Sequence, residues 1–122
     1  MTLNLYRFDK NCEIVEKGAA DLQAALTILR DCVSASRQSY EWGEEAIAAT
    51  NFGLARTDEN FLEIACNGPD QIAFHSDLLH ASFWGRLLGK GHLEWECDQI
   101  SAERVVADYF DLSRPDFESK YR

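Results

Sequence analysis

The sequence predicts an α+β domain, an antiparallel and largely meandering sheet of about five or six strands with two helices packed on one face. Three observations predict it. Residues 51–79, NFGLARTDENFLEIACNGPDQIAFHSDLL, hold three short β-type runs separated by two compact polar turns. Two other segments repeat apolar residues at helical spacing. Strands and helices do not alternate in the rhythm of a parallel sheet.

In chain order, Leu3 and Leu5 alternate with Asn4 and Tyr6, and after Asp9, Lys10 and Asn11 the chain resumes with Ile14 and Val15, which reads as an opening hairpin. Gly18 ends that strand signal. Leu22, Leu26, Leu29 and Val33 then recur at spacings of four, three and four, the stripe of a helix from Ala19 to Ala35, with Ala25 and Cys32 beside it. Residues 34–51 form an irregular connection with a helical turn over 44–49, longer than most loops and so expected to have structure or a role of its own.

The meander follows as Phe52–Thr57, a turn at Asp58, Glu59 and Asn60, Phe61–Cys66, a turn at Asn67-Gly68-Pro69-Asp70, and Gln71–Ser76. Alternation puts Leu62, Ile64 and Cys66 on one side of the middle strand, where Ile72 and Phe74 meet them, and Phe61, Glu63 and Ala65 on the other. Residues 80–92 read as a loop with Phe83 and Trp84 at an aromatic tip among Gly85, Gly89 and Gly91. The strand His92–Asp98 sets Leu93, Trp95 and Cys97 against Glu94, Glu96 and Asp98, one face apolar and the other wet and negative.

For the last helix, Ser101 reads as N-cap, Glu103 as a first-turn carboxylate, and Ile100 with Val105 as a hydrophobic staple. Val105, Val106, Tyr109, Phe110 and Leu112 form its apolar face. It should stop before Pro115, leaving SRPDFESKYR as a polar tail carrying Phe117 and Tyr121. The predicted core includes Leu26, Leu29, Ile64, Phe74, Trp95 and Val105.

A chain of 122 residues, 46% hydrophobic and 11% aromatic, suffices for one domain spanning residues 1–122 with a single core. No apolar run reaches the roughly 20 residues of a membrane span, and the N-terminal segment lacks the basic start and apolar stretch of a signal peptide, so a cytoplasmic protein is expected. Cys12, Cys32, Cys66 and Cys97 form no CxxC pair and read as reduced, buried thiols. Twenty-one acidic against 12 basic residues give a net charge of −9, and the basic residues are scattered, which argues against nucleic acid and for a basic protein partner.

Chemical constellations are sparse. His75, Asp77, His80 and His92 lack ligand spacing, so neither metal nor cofactor is expected. Cys66 and His75 on neighbouring strands are the nearest thing to a nucleophile and base, but alternation sends Cys66 to the apolar side, and no enzyme is predicted. Gly85, Gly89 and Gly91 precede a strand rather than a helix and carry no GKS or GKT, so they read as turn glycines. The acidic sets Glu94, Glu96 and Asp98, Asp58 and Glu59, and Glu41, Glu44 and Glu45, joined by Tyr40, Trp42, Phe83 and Trp84, suggest an acidic and aromatic partner-binding surface.

The hairpin, the helix Leu22 to Val33, the run FGLARTDENFLEIACNG followed by QIAFHSDLL, and a last helix SAERVVADYF ending near an Asp/Arg/Pro stretch resemble, in layout, the small α+β immunity proteins of bacterial polymorphic toxin systems. The resemblance implies a non-enzymatic inhibitor that binds and masks a cognate basic toxin. Three alternatives belong to other classes. A small-ligand-binding domain would have an apolar cavity between sheet and helices, an oligomerising module would pair Phe83 and Trp84 in a homodimer, and an enzyme would gather polar groups in a pocket.

Overall fold

The computed structural model describes residues 2–9, 11, 13–37, 49–57, 60–68, 70–76 and 93–121; Thr57, His75, Ser76, Leu93, Glu94, Trp95, Glu96 and Glu118 are described by backbone alone. Its elements are β1 (Leu3–Phe8), β2 (Ile14–Ala20), α1 (Leu22–Ser36), β3 (Asn51–Thr57), β4 (Asn60–Cys66), β5 (Ile72–Ser76), β6 (Leu93–Cys97), α2 (Gln99–Asp111) and α3 (Arg114–Tyr121). The six strands form one sheet in the order β2-β1-β3-β4-β5-β6, and every neighbouring pair is antiparallel. The first strand is therefore internal, with β2 on one side and β3 on the other.

Period-two alternation decides the layers. Along β4 burial alternates residue by residue, with Leu62, Ile64 and Cys66 inside. These meet Leu3, Leu5, Phe52, Leu54, Ile72 and Phe74 from the neighbouring strands in one core cluster. The same cluster takes Ala25, Leu29, Cys32 and Val33 of α1 and Ala102, Val105, Val106, Tyr109 and Phe110 of α2, so both helices pack on one face of the sheet. An Arg30–Glu103 ion pair at 2.7 Å links the helices at the surface. The β1–β2 turn is closed by Asp9, whose Oδ1 accepts from the backbone N–H groups of Asn11 (2.8 Å) and Glu13 (3.0 Å). Among the described residues, no helix is long and apolar enough to cross a membrane.

Several expectations need correction. The second strand does not end at Gly18 but runs to Ala20, and Gly18 takes φ +91° beside a register shift opposite Leu5 and Tyr6. It is a bulge glycine within the strand. The first helix accordingly starts at Leu22, after Asp21, whose Oδ1 accepts from the N–H of Ala24 at 2.9 Å. Its buried face turns toward Ala25, Leu29, Cys32, Val33 and Ser36, leaving Leu26 only partly buried, because the small Ala25 and Cys32 allow close packing. Asn60 is not a turn residue. It opens β4, is buried, and its Oδ1 accepts from the Tyr109 hydroxyl at 3.0 Å.

At the other end, Asp98 and not Ser101 caps α2, its Oδ1 accepting from the Ser101 N–H at 2.8 Å. That shift puts Ile100 inside the first turn, 73% exposed and no staple, and puts Glu103 beyond that turn, paired with Arg30. The supposed polar tail is the helix α3. Its Pro115 sits in the first turn, where a missing N–H costs nothing, and Phe117 is 1% exposed, edge-on to Tyr109 with ring centroids 5.1 Å apart. Trp95, expected in the core, lies outside the described side chains.

Candidate functional site

On the side of the sheet turned away from α1 and α2, one cross-strand row runs through all six strands. Glu16 is opposite Tyr6, Tyr6 opposite Gly53, Gly53 opposite Glu63, Glu63 opposite His75, and His75 opposite Glu94. Directly opposed residues share a face. Three carboxylate residues, Glu16, Glu63 and Glu94, thus take register positions in one row, and Glu96 follows in the next, opposite Ala73.

The centre of the row is built on a glycine. A Cβ at Gly53 would stand 1.9 Å from Tyr6 Cζ and 2.3 Å from its hydroxyl oxygen, so the ring lies flat across the β3 backbone in space that only glycine leaves. Its hydroxyl reaches past β3 and donates to Glu63 Oε1 at 2.9 Å. Phe8 meets the Tyr6 ring edge-on, with centroids 5.8 Å apart. Tyr6 is 7% exposed, an aromatic side chain fixed on a face where a strand side chain is more commonly solvated.

Beside this unit opens a cleft of about 430 Å³, within the range of ligand-binding clefts. Tyr6, Ala55, Phe61 and Ile14 give it apolar surface, while Asn4, Glu16 and Glu63 give it polar groups. Ile14 is 60% exposed, an unusual place for a large aliphatic side chain on an edge strand. Glu63 is half-buried and makes no ion pair among the described residues.

Of the predicted partner-binding residues, Glu94 and Glu96 lie on the edge strand β6, at the other edge of the sheet from the β2 strand that carries Glu16. Asp98 is exposed at the end of that strand, where it caps α2. The Ser101 backbone N–H, then its hydroxyl, hold the Asp98 carboxyl below the ordinary range. Asp58, Glu59, Tyr40, Trp42, Phe83 and Trp84 lie outside the described residues, as do Asp77, His80 and His92. Tyr6, Ile14, Glu16, Phe61 and Glu63 were not singled out from sequence, although a glycine inside the NFGLA strand is the signal of a close approach.

Cys66 points into the helical side of the sheet and pairs in register with Ile72, whereas His75 pairs in register with Glu63, three residues earlier on β4. The neighbour of Cys66 is Cys32 of α1: the Cys66 thiol donates to the Cys32 sulfur, which raises Cys66 and lowers Cys32 from the usual thiol range. Both are free and buried. Comparison with family models, curated proteins and solved structures finds no match.

Proposed function

We propose that this chain is a non-enzymatic binding module, of the immunity-protein kind, that takes a basic protein toxin against the sheet face turned away from α1 and α2 and so covers the toxin's working surface. The observation that carries the reading is the row of Glu16, Glu63 and Glu94 across one sheet, interleaved with a fixed aromatic ring and bordered by a cleft. Carboxylates spread over a face attract a basic surface from a distance, and buried aromatic and aliphatic groups hold it once docked. The net charge of −9 acts in the same direction.

The cysteine pair supports a structural rather than a catalytic role, because each thiol faces the other inside the core. Free buried thiols also suit a cytoplasmic site of action. A small-ligand role has one observation in its favour, the volume of the cleft, and is separated by the same experiment.

That experiment is co-expression with the product of an adjacent toxin-like reading frame, followed by association kinetics across ionic strength. A retained basic partner, with association that slows as salt rises and slows further in Glu94→Lys with Glu96→Lys, is the expected result. No complex, or an association rate indifferent to salt and to both charge reversals, removes the reading.

A further inference from the structure

We infer that the cleft beside Tyr6 and Glu63 receives the guanidinium of a single arginine from the basic partner, an inference that rests on the protein-binding reading above. Glu63 carries the charge: one oxygen accepts from Tyr6 at 2.9 Å, and the carboxylate is half-buried without a cation among the described residues. A partly desolvated carboxylate of this kind gains from an incoming charge-assisted donor far more than a fully hydrated one does.

The apolar surface selects the type of cation. Tyr6 and Phe61 both line the cleft, and Tyr6 cannot swing down onto the strand, because Gly53 and the sheet backbone lie directly beneath it. A planar, weakly hydrated guanidinium lies against a partly apolar wall of this kind while its fork of N–H groups reaches a carboxylate, whereas a lysine ammonium keeps its water and makes a single point contact. The methylene stem would lie along Ile14 and Ala55, and Glu16 at the β2 end of the row adds charge at the rim.

The probe is a capped tripeptide, acetyl-Gly-Arg-Gly-amide, titrated against the isotope-labelled protein by NMR, with its neutral citrulline counterpart as control. Saturable shifts at Tyr6, Gly53, Phe61 and Glu63 are expected with arginine, with binding weaker by about tenfold for citrulline, the change expected when a charge-assisted hydrogen bond becomes a neutral one. Glu63→Gln keeps the shape and the Tyr6 hydrogen bond, so an unchanged spectrum elsewhere certifies the fold while arginine binding drops to the citrulline level. Equal binding of the two peptides, shifts confined to other parts of the protein, or arginine binding unaffected by Glu63→Gln overturns the inference. Against a whole partner the two proposals separate. A complex whose dissociation ignores Glu63→Gln and Phe61→Ala overturns the cleft and keeps the partner. Arginine-specific shifts without any basic protein complex keep the cleft and overturn the partner.

Discussion

Gly53 has the most demanding environment of any described glycine, since a single methyl there would overlap the Tyr6 ring at 1.9 Å. Gly53→Ala should therefore destabilise by about 1 to 3 kcal/mol, the usual cost of overpacking, as the ring is forced off Glu63. In a Tyr6→Ala background the same substitution should cost much less, and urea denaturation of the four proteins reads the coupling. Additive effects would mean that the ring does not lie where it is described. Two carboxylates held by hydrogen bonds, Asp98 and Asp108, give a second prediction. For Asp108, burial raises its pKa, but hydrogen bonds from Lys120 and Tyr121 and the nearby positive charges bring it below the ordinary value, and Asp98 is lowered by Ser101. A carboxyl lowered in the folded state contributes stability that is complete above its unfolded pKa of about 3.9 and is lost as pH falls through the lower native value. Asp98→Asn and Asp108→Asn should each shrink the stability lost on acidification below about pH 4, measured by denaturation across pH. An unchanged acid limb would show that neither carboxylate is held by the fold.

The elements were legible where one periodicity ruled a whole segment. Burial alternates along all of β4, and Leu62, Ile64 and Cys66 with their partners Ile72 and Phe74 could be read directly from the spacing. Boundaries failed where two signals overlapped. Gly18 reads as a stop, yet at positive φ it lets β2 bulge and continue, and Asp98 belongs equally to the alternating strand and to the helix it caps. Helix α3 was missed because Ser113, Arg114 and Pro115 read as the end of one helix rather than the start of the next, although Phe117 and Tyr121 stand one turn apart. The Tyr6–Gly53–Glu63 unit was illegible for a different reason: its residues meet only once β1 lies beside β3, and strand order is not written in local pattern. Phe117→Ala should cost about 3 to 5 kcal/mol, and Leu29→Ala or Ile64→Ala about 2 to 5, by equilibrium unfolding. A cost below about 1 kcal/mol for Phe117 would mean that α3 is dispensable and the tail reading was right after all.

At the scale of the whole molecule, the same excess of carboxylates acts in two opposite ways. A net charge of −9 repels itself in the free chain, so raising salt from about 0.01 to about 0.15 M, which shortens the Debye length from about 30 to about 8 Å, should raise the melting temperature. Calorimetry checks this, and a fall would show that pairs such as Arg30–Glu103 outweigh the repulsion. Arg56 ties the two layers from within: its guanidinium leaves β3, lies over the Tyr109 ring at 4.7 Å and donates to the carbonyls of Tyr109 and Leu112 at the end of α2. The interior place of β1 has a further consequence, for a growing chain. The N-terminal hairpin leaves the ribosome with one long edge of β1 unsatisfied, and the strand that closes that edge, β3, is complete only after Thr57 has been made. During that interval the nascent protein carries an open β edge of the kind that recruits other chains. The final strand order is thus also a timetable, in which early-made β1 stays vulnerable until its later neighbour arrives.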